Sequence, residues 1–516
     1  MTLELTAEGL PIFPSTLWQL LAQRAQESPD RVILEDDGGR SLPAEQWLES
    51  AESVAAGLHA QGVKEGSPVS WQLPTILESA VLMLALVRLG AVQNPIIPIL
   101  RQREVSFIVS QTRAELLITP GVWRNFDYAA MAAEISAQVG CATMIIDRDA
   151  LPSGDPATLP PPPSGDDRPV RHIYYSSGTT ADPKGCKHTD ASVMASARGT
   201  VLMGLDSDDV ISMPFPYTHI GGIAATCAAL HRASRLVFIE IFDPMKSPLA
   251  LAERGATKLG SAVPFFHAYR DAQLRYGSEP LFPRLRAFSS GGAPKPPELY
   301  FELKELFGVP MLSSWGLTAF PIITYSVPDD SDEDLALTEG RVVPGVQLRV
   351  VSPEGVDLPP GQEGELLAKG PQSIVGYVDS RLDADAFDSR GFFRTGDLGV
   401  VGPRGHVRIT GRLKDVIIRN AENISAQEIE GVLYTHPKVG DVAVIGLPDP
   451  RTGERACAVV VLANGVDTVS LPELVEYCRA HQLATQKIPE RLEIVDVLPR
   501  NAMGKILKQD LRKAFA

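Results

Sequence analysis

At 516 residues, with 44% apolar and 22% charged side chains, the chain has the composition of an ordinary globular protein and length for about two to four domains. Its formal net charge of -15 argues against a surface built for nucleic acid or an anionic membrane. The five cysteines (Cys141, Cys186, Cys227, Cys457 and Cys478) lack metal-ligand spacing and read as buried hydrophobes, and the acidic N-terminus lacks the basic start of a signal peptide, so a cytoplasmic enzyme is expected.

Apolar residues at helical spacing predict an amphipathic helix over 18–25. The longest apolar run, 79–87, lies between Glu78 and Arg88 and is too short to span a bilayer. Residues 151–169, rich in proline, glycine and aspartate, predict a surface crossover loop. A strand-like run over 171–175 then leads into Tyr175-Ser176-Ser177-Gly178-Thr179-Thr180-Ala181-Asp182-Pro183-Lys184-Gly185. Small hydroxylated residues and glycines let backbone amides and hydroxyls converge on phosphate oxygens, and Lys184 adds a point charge. Pro183, before the lysine, excludes a Walker loop; a plain polar turn is the competing reading.

Residues 236–239 and 443–445 are β-branched or aromatic runs of strand length, and strands alternating with helices predict an α/β architecture. A boundary is expected near Gly411-Arg412-Leu413-Lys414-Asp415. Beyond it, Ser425 with Glu428 and Ser470 with Glu473 form capping-box patterns, and Ile424 with Ile429 a hydrophobic staple. The expected organisation is a large N-terminal α/β domain over 1–413 and a small α+β C-terminal domain over 414–516.

Read together, six ordered segments resemble the acyl-adenylate-forming superfamily of acyl-CoA synthetases, peptide-synthetase adenylation domains and luciferases. They are the loop at 176–185, Ser314-Trp315-Gly316-Leu317-Thr318, Gly364-Glu365-Leu366 with Gly376-Tyr377, Thr395-Gly396-Asp397, the segment 411–415, and Pro499-Arg500-Asn501-Ala502-Met503-Gly504-Lys505-Ile506. Among subfamilies, Trp-Gly-Leu-Thr followed by Tyr325-Ser326-Val327-Pro328 is most similar to alicyclic acyl-CoA ligases. The resemblance implies a two-step reaction: a carboxylate attacks the α-phosphate of ATP to give acyl-AMP and pyrophosphate, and a thiol, usually that of CoA, displaces AMP. It also implies a multi-subdomain large domain and a mobile small domain that rotates about a hinge at Lys414 or Asp415.

Carried onto this chain, the resemblance makes Ser176, Ser177, Gly178, Thr179, Thr180 and Lys184 the phosphate loop. Gly292, Ala293, Ser314, Trp315, Gly316 and Thr318 would line the rest of the nucleotide site. Asp397 would accept both ribose hydroxyls, as an ionised acceptor suits, with Arg412 donating beside it. Lys505 would stabilise transition-state charge in the first step, and His219, with Thr318, would complete the catalytic set. His219, Gly221, Gly222 and Gly291 would bound an acyl pocket roomy enough for a bulky acid, although the glycines also suit close backbone packing.

The chain departs from the pattern in three places. Ala319 stands where the family has a glutamate that helps hold Mg²⁺; a hard cation needs oxygen ligands, which leaves the metal unassigned. Losing one such carboxylate costs roughly 10- to 1,000-fold, or about 1.4 to 4 kcal/mol, in adenylation. Ala181 replaces a usual glycine of the phosphate loop. Asn420 and Ala421 replace two glycines before Glu422, on the side from which the thiol enters, which opens the choice between CoA and a carrier-protein thiol.

The leading expectation is an acyl-CoA ligase that retains thioesterification, with adenylation impaired and acyl-AMP supplied in part by a separate enzyme. The alternatives are a complete two-step ligase using ATP, Mg²⁺ and CoA, an acyl carrier protein ligase, and a non-catalytic binder of acyl-AMP or nucleotide.

Overall fold

A computed structural model describes residues 6, 10–165, 168–176, 183–293, 295–419, 422–501 and 503–516. The first predicted helix is Leu17–Glu27, started by a reciprocal cap in which Thr16 Oγ1 accepts from the Gln19 N–H and the Gln19 side chain accepts from the Thr16 N–H. Its Leu17, Leu20 and Leu21 face the interior. The longest apolar run becomes the helix Leu77–Leu89, buried on every face and stopped by Gly90 at φ +69°.

Two seven-stranded sheets build the larger part of the chain. One runs, in spatial order, Met311–Ser314, Ala287–Gly291, Lys258–Ser261, Val210–Met213, Arg235–Phe238, Val32–Asp36 and Ser41–Pro43. All its pairings are parallel except the last. The other runs Gly376–Tyr377, Gly185–Thr189, Val170–Tyr175, Val92–Pro95, Pro68–Trp71, Leu116–Thr119 and Ala142–Ile145. One continuous apolar core joins helix Leu77–Leu89 and helix Ile220–Arg232 to strands of both sheets, as a layered α/β architecture requires. The predicted crossover loop lies partly exposed but packs tightly. A Cβ on Gly57 would come within 2.6 Å of the Ser153 nitrogen, and one on Gly90 within 2.5 Å of the Pro163 ring.

A four-stranded antiparallel sheet follows: Gln347–Val351, Gly364–Lys369, Phe393–Val401 and Val407–Arg412. After three intervening residues, Val416–Arg419 opens a separate five-stranded sheet with Glu422–Ser425, Val439–Asp449, Gly453–Leu462 and Arg491–Ile494. Helices Ala426–Tyr434 and Leu471–Ala480 share one apolar cluster with this sheet. Ile424 and Ile429 are both buried there, as the predicted staple requires.

The two predicted capping boxes are single caps. Ser425 and Ser470 accept from the Glu428 and Glu473 N–H groups, but those glutamates send their carboxylates to Lys487 (2.6 Å) and Lys438 (2.9 Å). A cation across a tertiary contact outcompetes the neutral backbone donor. All five cysteines are buried thiols, and among the described residues no helix is long and apolar enough to cross a membrane.

Candidate active site

A cleft of about 850 Å³ lies between the four-stranded sheet and the C-terminal sheet. Gly292, Ala293, Ser314, Trp315, Gly316, Asp397 and Arg412 line one wall; Glu430, Tyr434, Arg500, Lys505 and Lys508 line the other. Asp397 and Arg412 are direct cross-strand partners, which puts their side chains on one face of the sheet. Arg412 Nε lies 2.9 Å from Asp397 Oδ1. Trp315 Nε1–H donates to Asp397 Oδ2 at 2.8 Å, and the carboxylate is only 2% exposed. Gly396, at φ +69°, sits before it in a bulge of strand Phe393–Val401, and the Asp397 N–H donates to Thr395 Oγ1.

Trp315 is fixed through its backbone. Its N–H donates to Thr324 Oγ1 at 3.0 Å, and its C=O accepts from the N–H groups of Ile323 and Thr324. Gly316 allows the chain to fold back, since a Cβ there would lie 2.3 Å from the Ile322 nitrogen. Thr318 offers its C=O to His188 Nε2–H at 2.8 Å; burial holds His188 near pKa 4, hence neutral. Ala319 is buried beside Cys186, Phe320, Ile323, Ile374 and Tyr377, in an apolar cluster. Its C=O accepts from the Ile374 N–H at 3.0 Å.

Lys505 reaches the same cleft from a tight turn. The Asn501 N–H donates to the Lys505 C=O at 2.9 Å, and the Lys505 N–H returns to Asn501 Oδ1 at 3.0 Å. Gly504 takes φ +76°, the left-handed region that favours glycine, beside Pro264 and Ala262. Desolvation, then the charges of Arg412 and Lys414, push the Lys505 ammonium down to about 7, while Asp397 and Asp415 pull it up. The cleft thus holds a cationic side chain poised to gain from an anion.

At the segment joining the two sheets, Asp415 Oδ1 accepts from Arg512 Nη2 at 3.1 Å, while Lys414 is exposed. Nearby, Glu430 accepts from Lys508 Nζ (2.7 Å) and from the Val444 N–H (2.7 Å). Sequence reasoning missed Glu430, Lys508 and Lys295 in this lining; the repeated lysines near the chain end were the available signal.

Of the loop at 176–185, expected from the sequence to hold phosphate, the stems are described. Strand Val170–Tyr175 pairs antiparallel with Gly185–Thr189, and the Ser176 N–H donates to the Lys184 C=O at 3.0 Å. Lys184 is exposed, its Nζ 5.7 Å from the centre of the Tyr377 ring. Ser177, Gly178, Thr179, Thr180 and Ala181 lie outside the described residues, as do Asn420 and Ala421; Glu422 is described and exposed. Neither Ser176 nor Lys184 lines the cleft.

His219, Gly221, Gly222 and Gly291 also lie outside the cleft lining. His219 caps helix Ile220–Arg232, its Nδ1 accepting from the Gly221 N–H at 3.1 Å, and burial pushes it down to about 4. Gly222 is a packing glycine, because a Cβ there would fall 2.0 Å from the Tyr217 carbonyl oxygen. A Cβ on Gly291 would sit 3.2 Å from Ser314 Oγ, whereas Gly292 faces open space.

Family comparison matches residues 21–378 to "AMP-binding enzyme" and residues 428–505 to "AMP-binding enzyme C-terminal domain". A medium-chain fatty-acid–CoA ligase of Escherichia coli (strain K12) is 30% identical over 510 residues, covering 96% of this chain and 89% of the relative. A salicyl-AMP ligase/salicyl-S-ArCP synthetase of Mycobacterium tuberculosis is 32% identical, covering 96% and 90%. Among solved structures, ATP-bound MatB from Rhodopseudomonas palustris superposes with a TM-score of 0.88 at 28% identity, covering 98% of this chain and 99% of that one. An o-succinylbenzoate CoA synthetase from Bacillus subtilis, in complex with its acyl-adenylate intermediate, gives 0.83 at 25% identity, covering 96% and 98%.

Proposed function

We propose that this chain, which belongs to the AMP-binding enzyme family, is an acid–thiol ligase working through an acyl-adenylate, with thiol transfer intact and adenylation slowed. In the first step a carboxylate oxygen bonds to the α-phosphorus of ATP and the bond to pyrophosphate breaks. In the second a thiol sulfur bonds to the acyl carbon, the carbon–oxygen bond to AMP breaks, and the thiol proton passes to solvent. A bulky carboxylic acid and CoA are the substrates this reading names, with a carrier-protein thiol as the other acceptor.

Asp397 and Arg412 hold the ribose in this assignment, and Trp315 with Gly292 and Ala293 offers the purine a flat wall. Ser314, Gly316 and Thr318 set the turn behind them. The hydroxyls, glycine and Lys184 of the 176–184 loop take the phosphates. Lys505 sets its charge against the carboxylate and α-phosphate as negative charge builds there. His219, Gly221, Gly222 and Gly291 border the acyl group. The division at 413/414 is assigned as the hinge, with Lys414 and Asp415 moving and 420–422 meeting the thiol.

One observation carries the bias against adenylation. The side chain at position 319 is a methyl group buried among apolar neighbours, so it offers no oxygen to a cation. Among the described residues no group of three His, Cys, Asp or Glu side chains is placed to hold a metal ion. The side chains present at 319 and around it do not fit the family's carboxylate ligand for Mg²⁺. A second reading, a complete two-step ligase, draws on Lys505, which lines the cleft together with Asp397 and Arg412.

The test compares thioester formation from acid, ATP, Mg²⁺ and CoA with that from synthetic acyl-AMP and CoA. The proposal expects the second reaction to be at least about 10-fold faster. Similar rates would leave the complete ligase, and no product from either, across a panel of acids, would leave a non-catalytic binder.

A further inference from the structure

We propose that Trp315 is a positioning residue for nucleotide selection: its indole N–H fixes the plane of the Asp397 carboxylate and so sets discrimination between a ribonucleotide and its deoxy analogues. The inference rests on the reading of Asp397 as acceptor for the ribose hydroxyls.

The indole has one polar atom, and it donates to Asp397 Oδ2 at 2.8 Å. Arg412 takes the other oxygen from across the strand pair, at 2.9 Å. An ionised carboxylate has about four acceptor positions, so two donors leave one on each oxygen, and two ribose hydroxyls need two. With a single donor the carboxylate plane turns about its last torsion, a broad and roughly two-fold one. With both, it is held before ligand arrives, and the ordering cost of binding falls.

The ring cannot swing away from this duty. Trp315 is 7% exposed, it packs among Ile323, Leu366 and Phe320, and its backbone N–H and C=O are both engaged. A phenylalanine would fill an apolar cluster of this kind without any donor. The side chain therefore supplies something packing does not require, namely an N–H aimed at the one carboxylate the cleft holds against Arg412.

Dissociation constants for ATP, 2′-deoxy-ATP and 3′-deoxy-ATP, measured by calorimetry on the full chain, provide the test. Trp315→Phe keeps an aromatic face and removes the donor. It is expected to weaken ATP binding about 10-fold while changing the two deoxy analogues by less than about threefold, so that selectivity collapses. Trp315→Phe placed on Asp397→Asn should add almost nothing to the selectivity already lost. A tryptophan analogue with sulfur in place of the indole N–H, introduced at position 315, gives the same result with the packing shape retained, should the phenylalanine variant not fold.

If Asp397→Asn abolishes selectivity but Trp315→Phe and the sulfur analogue keep it within twofold of wild type, the positioning role is wrong and the ribose assignment stands. If Asp397→Asn itself leaves selectivity intact, the ribose assignment fails and takes this inference with it. Full additivity of the two substitutions would also overturn it, since it would mean that Trp315 acts on the nucleotide independently of Asp397.

Discussion

Lys505 in the cleft makes a demand on pH that binding measurements can read. Its ammonium is lowered from 10.5 to about 7, chiefly by desolvation and next by Arg412 and Lys414. A lysine whose pKa falls on docking holds fewer protons docked than free, between about pH 7 and 10.5. Docking of the ligand-free chain is therefore hardest below pH 7, where a charged ammonium must leave water, and becomes easier as pH rises through that window. Each unit corresponds to about 1.4 kcal/mol; because water still reaches part of the side chain, about half the full penalty applies, on the order of 2 kcal/mol near neutrality. A triphosphate and a carboxylate reverse the balance. They give the ammonium anionic partners, raise its pKa, and draw in a proton on binding.

Calorimetric ATP binding in buffers of different ionisation enthalpy measures that proton. Wild type is expected to take up close to one proton at about pH 8 and almost none at about pH 6, where Lys505 is already charged. Lys505→Met keeps the contribution of the nucleotide's own phosphate, so wild type minus Lys505→Met should be close to one proton at about pH 8 and almost none at about pH 6. Its pyrophosphate release should fall by roughly 100-fold or more, with thioester formation from acyl-AMP nearly unchanged. Equal proton uptake in wild type and Lys505→Met at pH 8 would refute the reasoning, because it would place Lys505 in water, charged, before ATP binds.

Three further substitutions probe separate parts of the site. Ala319→Glu should raise pyrophosphate release by roughly 10- to 1,000-fold, and lower stability by about 1–3 kcal/mol because its side chain enters an apolar cluster; unchanged release would count against the missing carboxylate as the defect. Gly222→Ala should destabilise by about 1–3 kcal/mol in a denaturant melt, since its methyl would collide with the Tyr217 carbonyl, and a wild-type midpoint would remove the packing role. Tyr434→Phe deletes the 2.8 Å bond to His267 Nε2 that joins helix Ala426–Tyr434 to helix Val263–Tyr276. Adenylation should fall about fivefold for the net loss of about 1 kcal/mol, with thiol transfer spared; equal losses in both steps would show that the bond serves the fold alone.

What could be read from the chain beforehand follows the range of the forces involved. The helix at Leu17–Glu27, the strand Val170–Tyr175 and the staple at Ile424 and Ile429 depend on neighbours a few residues away, so periodicity and turn chemistry reveal them. The reciprocal half of the caps at Ser425 and Ser470 failed because Lys487 and Lys438 reach Glu428 and Glu473 through tertiary contacts that local spacing does not encode. The same limit hid the Tyr434–His267 bond, whose partners are 167 residues apart, and the Glu430–Lys508 pair. Asp397, Arg412 and Lys505 were named by motif resemblance, but only the strand register shows why Asp397 and Arg412 meet. Gly222 had two readings from sequence, room for an acyl group or close packing, and the distance to Tyr217 favours packing.

The surroundings of Ala319 argue for a biased enzyme over a silent one. The turn that carries it is held by bonds that do not involve its side chain: His188 to the Thr318 carbonyl, Ile374 to its own carbonyl, and the paired Leu317–Phe320 backbone. Replacing a carboxylate by a methyl group there removes a charge from an apolar corner without asking the backbone to move. The Asp397–Arg412 pair stands on the four-stranded sheet and Lys505 on a separate turn; Asp397 is tied to the segment that carries Ala319 through the Trp315 indole N–H, not through the side chain at 319. On the proposed reading the loss is confined to the phosphates, and the Asp397, Arg412 and Lys505 side keeps its geometry. Thiol transfer needs AMP held as a leaving group and gains little from the missing oxygen, whereas attack on the α-phosphorus must proceed against uncompensated phosphate charge. Under the proposed reading, the substitution bears on the first step and leaves the second to the residues around Asp397 and Lys505.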